Sequence, residues 1–416
     1  MPIKKIESFF GIQSFKLIAN DNLRWIESNP LRQTDLEDFG LHDKLEIGNR
    51  EFHIHTGTLL ENNKILSEVF EKGMYLISRE HNLNFRSNAK SFDYEFLNSK
   101  TQKFHHHVLE ELQSLYEIES RLMNFRHPKS HYRLGMLFLK RNLFKEAIRQ
   151  FKVAIEQEAS FTQAYLGLGV AYLKASDYQN STEIFEKVLS STSKYPDVLN
   201  FYGLAQLLLG DCEKAISLFK DAIQLNPNYV ECQFNLGIAL YKSALNGAKD
   251  PGGVAVPARV SIYLKQVREL PKYHGKRWQK EFAKILELLQ ESNHDVILSQ
   301  LEEFQLHLVD MVSDKDKIYE FYLRFLFGGK DFDKETLEFY QHYFEYNTQN
   351  NDQYPDYWND QGIFNLIKSR SYYLKAITEF EKALEISPKF KDAHHNLEKI
   401  KSNEKGFMIL LRAILK

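Results

Sequence analysis

Histidines form the densest group of chemistry-bearing side chains in this sequence. His105, His106 and His107 are consecutive, and His53 and His55 lie upstream with one residue between them. On a helix, His106 faces Glu110 and His107 faces Glu111, four residues on. On a strand, His53 and His55 point to one face. Imidazoles and carboxylates gathered in this way are zinc ligands. The spacing argues otherwise, because no HExxH or other zinc signature occurs. A solvated helix face beside a polar strand face accounts for the same residues, so no metal ligand is assigned.

A second group is basic. Arg259, Lys265, Arg268, Lys272, Lys276, Arg277 and Lys280 stand against Glu269 alone, with Tyr263, Tyr273 and Trp278 interleaved. Cations between aromatics bind phosphates and stack bases. An exposed helix face paired with acidic neighbours such as Glu287 and Glu291 explains them equally, and nucleic acid is the weaker expectation.

Covalent chemistry finds little support. No nucleophile elbow, phosphate loop or dinucleotide fingerprint is present, and Gly252-Gly253 lacks the lysine and serine that a phosphate loop requires. The expectation is a protein with no catalytic residues and no cofactor.

Composition sets the outer limits. The chain has 416 residues, 43% hydrophobic and 26% charged, with a net charge of -2. That permits a large core in two to three domains. No global field draws it to nucleic acid or membrane. Cys212 and Cys232 have no metal or redox spacing, and no structural disulfide is expected. Met1 to Gln13 has no long apolar stretch of a signal peptide, and no apolar run reaches the roughly 20 residues of a membrane span. The expected location is the cytoplasm.

The elements that position these residues follow a ruler about 34 residues long. Started at Pro128, it places Leu134, Gly135, Phe138, Ala147, Phe151 and Ala154 at fixed marks. Started at Thr162, it finds Tyr165, Leu168, Gly169, Tyr172 and Phe185. Started at Pro196, it finds Tyr202, Gly203, Ala215, Phe219, Ala222 and Pro227. A fourth start at Val230 gives Leu236 and Gly237, and there the pattern stops. A glycine inside a helix costs about 1 kcal/mol relative to alanine, so Gly135, Gly169, Gly203 and Gly237 need a reason. Close approach of a second helix supplies it, with Phe151, Phe185 and Phe219 as the large partners. Such units bury their apolar faces only by stacking.

This pattern resembles the tetratricopeptide repeat. The resemblance implies a mostly α fold: a solenoid of helical hairpins with units near 128–161, 162–195, 196–229 and a partial 230–245. It resumes over 355–402, where Pro355, Trp358, Gly362, Ala376, Phe380, Ala383 and Pro388 repeat the marks. Gly362 and Ala376 are two residues further apart than Gly203 and Ala215, which places an insertion in a turn near Ser369 to Ser371. Lys391 to Ser402 is polar and reads as a cap helix. The tail, 403–416, is apolar, and its stripe of Phe407, Met408, Leu410, Leu411 and Leu415 is expected to dock on the cap helix at Ala393, Leu397 and Ile400.

The resemblance also implies where a partner sits. The first helix of each unit lines a concave groove through its fifth and ninth residues, among others. Here those are Tyr132, Met136, Leu166, Val170, Asn200, Leu204, Phe234 and Ile238. The carboxylate clamp of some family members is not reproduced: Lys129 and Asn200 are present, but Asp197 and Glu231 occupy second marks. The groove is mostly apolar, with Lys140, Lys174 and Lys242 at its rim. Apolar grooves take amphipathic helices. The chain's own helices are equally able to fill it.

Two regions lack the marks. Residues 1–127 form a small α+β module. Phe9, Phe10, Phe15, Leu17 and Trp25 suggest an initial segment. Leu45-Glu46-Ile47, the turn Gly48-Asn49 and Phe52-His53-Ile54-His55 predict a hairpin. Ile65 to Phe70, a turn at Lys72-Gly73 and Met74 to Ser78 extend it to an antiparallel meander. Phe104, Val108, Leu112, Leu115, Ile118 and Leu122 then make one face of a long helix. Residues 246–354 are helical without repeat marks, starting after Pro251-Gly252-Gly253 and Pro257.

The function expected is protein–protein interaction: a scaffold holding a partner segment, an amphipathic helix, in the groove. The alternative is a regulatory or sensory protein whose meander binds a small ligand while the repeats relay or present it.

Overall fold

A computed structural model describes residues 40–59, 64–83, 94–191, 195–247, 255–291, 293–309, 315–329 and 332–415. The segment carrying Phe9, Phe10, Phe15, Leu17 and Trp25 lies outside these, as does Pro251-Gly252-Gly253. By its contacts the chain divides into two units. One is Met1–Phe125 with Arg324–Lys330, and the other is Arg126–Leu323 with Asp331–Lys416.

The first unit is the meander and its helix. Strands β1 (Gly40–Ile47), β2 (Arg50–Leu59), β3 (Lys64–Glu71) and β4 (Met74–Asn82) pair antiparallel in chain order. Both tight turns use left-handed residues, Gly48 and Asn49 at φ 60 and 59, and Lys72 and Gly73 at φ 50 and 78. Paired left-handed residues match the strand twist, which is why Gly-Asn closes a hairpin. Alternation puts Leu45, Ile47, Phe52, Ile54, Ile65 and Val69 on the buried face. Helix α1 (Tyr94–Leu122) lies against β1, β2 and β3. Its Val108, Leu112, Leu115, Ile118 and Leu122 are buried.

The second unit opens with three hairpins in strict register. First helices α2 (Pro128–Lys140), α4 (Thr162–Lys174) and α6 (Pro196–Leu208) alternate with second helices α3 (Phe144–Gln157), α5 (Tyr178–Ser191) and α7 (Cys212–Leu225). The glycines do what their cost demands. A Cβ on Gly135, Gly169 or Gly203 would come within 2.6 to 2.7 Å of the ring of Phe151, Phe185 or Phe219. All three rings are fully buried. Each hairpin turn uses one left-handed residue at the same mark: Asn142, Ser176 and Gly210.

Two differences from the sequence expectation follow. The fourth unit does not stop at 245. Helix α8 (Val230–Gly247) is followed by α9 (Ala258–Arg268), which packs back on it, with Val260 Cγ2 3.5 Å from a Cβ built on Gly237. A valine fills the place of the phenylalanine, so the spacing hid the second helix. The unit from 355 differs in the other direction. Helix α14 (Pro355–Ile386) runs straight through Ser369 to Ser371, and no turn forms there. Neither glycine nor proline interrupts that stretch, so nothing stops the helix. The polar cap and the apolar tail are likewise one helix, α15 (Lys391–Leu415). The tail continues the cap helix in line and so does not fold onto Ala393, Leu397 and Ile400.

Between these lie a short 3-10 turn (Pro271–Tyr273) and helices α10 (Lys276–Leu288), α11 (His294–Leu308), α12 (Asp316–Phe327) and α13 (Lys334–Asn350). Two aromatic clusters hold them. Tyr273, Trp278, Phe282 and Phe304 make one. Phe321, Tyr340, Phe344 and Phe364 make the other.

Candidate functional site

The eight groove residues come from the first helices α2, α4, α6 and α8, and most of them are covered. Val170, Leu204, Phe234 and Ile238 are fully buried, and Met136 and Asn200 are nearly so. Only Tyr132 and Leu166 keep part of their surface. Much of the cover is visible in named contacts. The ring of Phe304, on α11, meets Phe234 edge-on at 6.3 Å between centroids. The ring of Tyr319, on α12, lies 6.4 Å from Tyr132. Next to it the Arg133 guanidinium sits 5.1 Å over the ring of Tyr322. Burial lowers the pKa of Arg133, while Tyr322, Tyr319 and Asp360 favour its charge. Burial also pushes the Tyr132 hydroxyl well above its ordinary value.

A buried polar ladder crosses the same surface. Gln305 on α11 donates through Nε2 to Asn235 Oδ1 at 2.9 Å, and Asn235 donates to Asn200 Oδ1 at 2.9 Å. Asn200 in turn donates to the Tyr229 hydroxyl at 3.1 Å. An amide needs both a donor and an acceptor when buried; the ladder supplies both to Asn235 and Asn200, while Gln305 Oε1 has no hydrogen-bond partner among the described residues. Asn235 and Gln305 gave no sequence signal, since neither stands at a fifth or ninth mark.

The rim lysines are engaged as well. Lys140 pairs with Asp316 at 2.7 Å and Lys242 with Glu302 at 2.5 Å. Burial alone would raise the Asp316 carboxyl, but Lys140 and Lys317 together hold that group below its ordinary value. The second-mark Glu231 binds Lys272 at 2.6 Å. Thus α11 and the first half of α12 lie on the helices that carry the groove residues, tied by aromatic, amide and ionic contacts.

The other two groups are dispersed. His53 and His55 share the open face of the sheet with His42. His42 Nε2 lies 3.2 Å from His53 Nδ1, and the His42 and His55 rings are 4.3 Å apart. His105 is instead buried beneath the sheet. Its Nδ1 is 2.7 Å from the Thr56 hydroxyl and its Nε2 3.1 Å from Asp43. Burial lowers its pKa, and the Asp43 carboxylate opposes that. His106 and His107 are exposed, and Glu111 is taken by Arg79 at 2.8 Å. Among the described residues no three or more His, Cys, Asp or Glu converge as metal ligands. In the basic stretch the aromatics turn inward: Tyr273 is buried against Trp278, 4.8 Å away. The side chains of Lys276 and Arg277 lie outside the described residues.

Among the described residues no helix is long and apolar enough to cross a membrane. No curated protein matches the chain. Among solved structures, YrrB, described as a TPR protein with an unusual peptide-binding site, is 19% identical. That match covers 44% of this chain and 96% of that one, with a TM-score of 0.29. Pseudomonas aeruginosa pilF is 19% identical over 56% of this chain and 96% of that one, with a TM-score of 0.31. A tetratricopeptide repeat protein from Parabacteroides merdae is 13% identical over 68% and 99%, with a TM-score of 0.27. Family models match directly in sequence: "Tetratricopeptide repeat" over residues 132–198 and "TPR repeat" over residues 203–243. Those residues are the ones whose glycine and phenylalanine marks interlock, and the chain is a tetratricopeptide-repeat protein over that stretch.

Proposed function

We propose that the repeats form a non-enzymatic scaffold that holds an amphipathic helix of a protein partner on the face of Tyr132, Met136, Leu166, Val170, Asn200, Leu204, Phe234 and Ile238. One observation carries this reading. Helices α11 and α12 already lie there, so the surface has the shape and chemistry to seat a helix. A partner helix enters by replacing α12 at the Tyr132 end of that face, where Lys140 pairs with the mostly buried Asp316. The free, buried thiols of Cys212 and Cys232 support a reducing compartment, the cytoplasm.

The test uses a labelled peptide with the sequence Asp316–Phe327 and a chain in which Tyr319→Asp and Tyr322→Asp loosen α12. Saturable binding to that chain is expected, with none to the unaltered chain, and Tyr132→Ala should weaken it at least tenfold. A loosened chain that keeps its helical circular dichroism yet does not bind the peptide overturns the reading.

A further inference from the structure

Three histidines meet on the open face of the sheet, and strand register brings them together. His42 on β1 stands directly opposite His55 on β2, and His53 is the neighbouring residue on the same face of β2. The His42 and His55 ring centroids are 4.3 Å apart, and those of His42 and His53 are 5.4 Å apart. Glu51 decides which nitrogen of His53 is free. An ionised carboxylate only accepts, so His53 donates to it through Nε2 at 2.9 Å. Lys44, 2.8 Å from the same carboxylate, lowers its pKa, and His53 adds to that effect. The Nδ1 lone pair of His53 therefore faces His42 Nε2, 3.2 Å away. Two nitrogens on one tetrahedral zinc ion are about 3.3 Å apart at a Zn–N distance of about 2.0–2.1 Å. A carboxylate on the far nitrogen is the partner that orients a metal-binding imidazole.

We propose that His42, His53 and His55 bind a zinc ion, with water in the fourth position. As the side chains lie, two nitrogens stand at ligand separation and the third does not, so three ligands do not yet converge. His55 completes the set by turning between staggered rotamers. It is exposed, and the turn gives up an edge contact with Phe70, 5.4 Å between centroids. Burial lowers the His55 pKa, with His42 and His53 adding to it, which favours the neutral ring that a metal needs. Glu68 stands directly opposite His55 on β3, where it can accept from the nitrogen that does not bind. Three imidazoles and an open position are the donor set of a zinc site that keeps a water. The ion ties β1 to β2 and so stabilises the sheet unit by mass action. His42 gave no sequence signal, because only the register of β1 on β2 sets it beside the other two.

The experiment titrates zinc chloride into the full chain, free of any histidine tag, by calorimetry in competition with a chelator of known affinity. One zinc per chain is expected at the tightest site. Glu51→Gln should weaken that site about tenfold, the effect of losing an orienting carboxylate. His42→Ala and His55→Ala should each weaken it further. His106→Ala with His107→Ala, at exposed positions of α1, should leave it unchanged. Excess magnesium should not compete, because that ion takes oxygen ligands. Ring-nitrogen NMR should show His42, His53 and His55 shifting on zinc addition. Where an alanine variant loses amide protection in β2, His42→Gln or His55→Gln decides in its place. No saturable zinc binding overturns the proposal. Binding of unchanged affinity in the folded His42 and His55 variants, or binding lost with His106 and His107, overturns it as well.

Discussion

The ring of Phe219 occupies the space that a Cβ on Gly203 would need: its Cε1 lies 2.7 Å from that built atom. Phe219 is fully buried and cannot swing aside into solvent. Gly203→Ala gains about 1 kcal/mol of helix propensity but forces the ring or the helix to move. Overpacking costs about 1–3 kcal/mol, so a net loss is expected, larger for Gly203→Leu. Denaturant unfolding measures it. Phe219→Leu added to Gly203→Ala should recover part of the loss, as coupled neighbours do. A rise in midpoint for Gly203→Ala would show that the contact is looser than described.

Leu166 and Leu204 stand at equivalent marks with unequal burial. Leu204 is fully buried and Leu166 is only partly so. Leu204→Glu places a carboxylate where no partner exists, and the cost of burying a charge unpaired should unfold the unit or remove at least about 3 kcal/mol. Leu166→Glu should cost about 1 kcal/mol or less, as surface changes do. Thermal melts of the two variants compare them directly, and equal losses would contradict the burial difference.

His105 makes the sheet unit sensitive to acid. Its folded pKa is lowered, chiefly by burial. His55 on the open face is lowered for the same first reason, with His42 and His53 adding to it. A histidine depressed in the folded state binds its proton more readily when unfolded. Stability is thus full above the unfolded value near 6.5 and falls as pH drops through that value toward the folded one. Amide exchange in β2 and α1, corrected for intrinsic rate, should speed up between pH 7 and pH 5. His105→Gln should reduce that change.

Asp360 tests the buried contacts around α12. It accepts from the Tyr322 hydroxyl at 2.9 Å and lies 3.4 Å from Lys315. Burial raises its pKa despite Lys315 and Tyr322. Tyr322→Phe removes a donor from a buried carboxylate and should cost about 1–3 kcal/mol. Asp360→Asn removes the charge and keeps an acceptor for Tyr322, so it should cost less. The order of the two unfolding free energies is the readout.

Residue type and spacing made the local structure legible, but not the long-range assembly. Gly48-Asn49 and Lys72-Gly73 announced the hairpins because few residues tolerate a left-handed backbone. Gly135, Gly169 and Gly203 fixed the repeat register because only a close contact justifies a glycine there. The groove residues were legible as a set of marks. That α11 and α12 lie over them was not. The stripe Ile297, Leu301, Phe304 and Leu308 says that one face of α11 is buried, and periodicity does not say against what. Gln305 sits beside that stripe and looks like any surface glutamine until Asn235 is found opposite. The fifth unit misled for the converse reason: its glycine and phenylalanine kept their marks while the turn between them lacked a residue that breaks a helix.

The return of α12 to α2 changes how this array folds. Solenoids ordinarily fold by nearest-neighbour growth, each unit waiting only for the one beside it. Here Tyr132 waits for Tyr319 and Lys140 for Asp316, and closing so long a loop is entropically slow. The first repeat is therefore completed late, after most of the chain has been made, and the array gains a cooperativity that its modular sequence does not suggest.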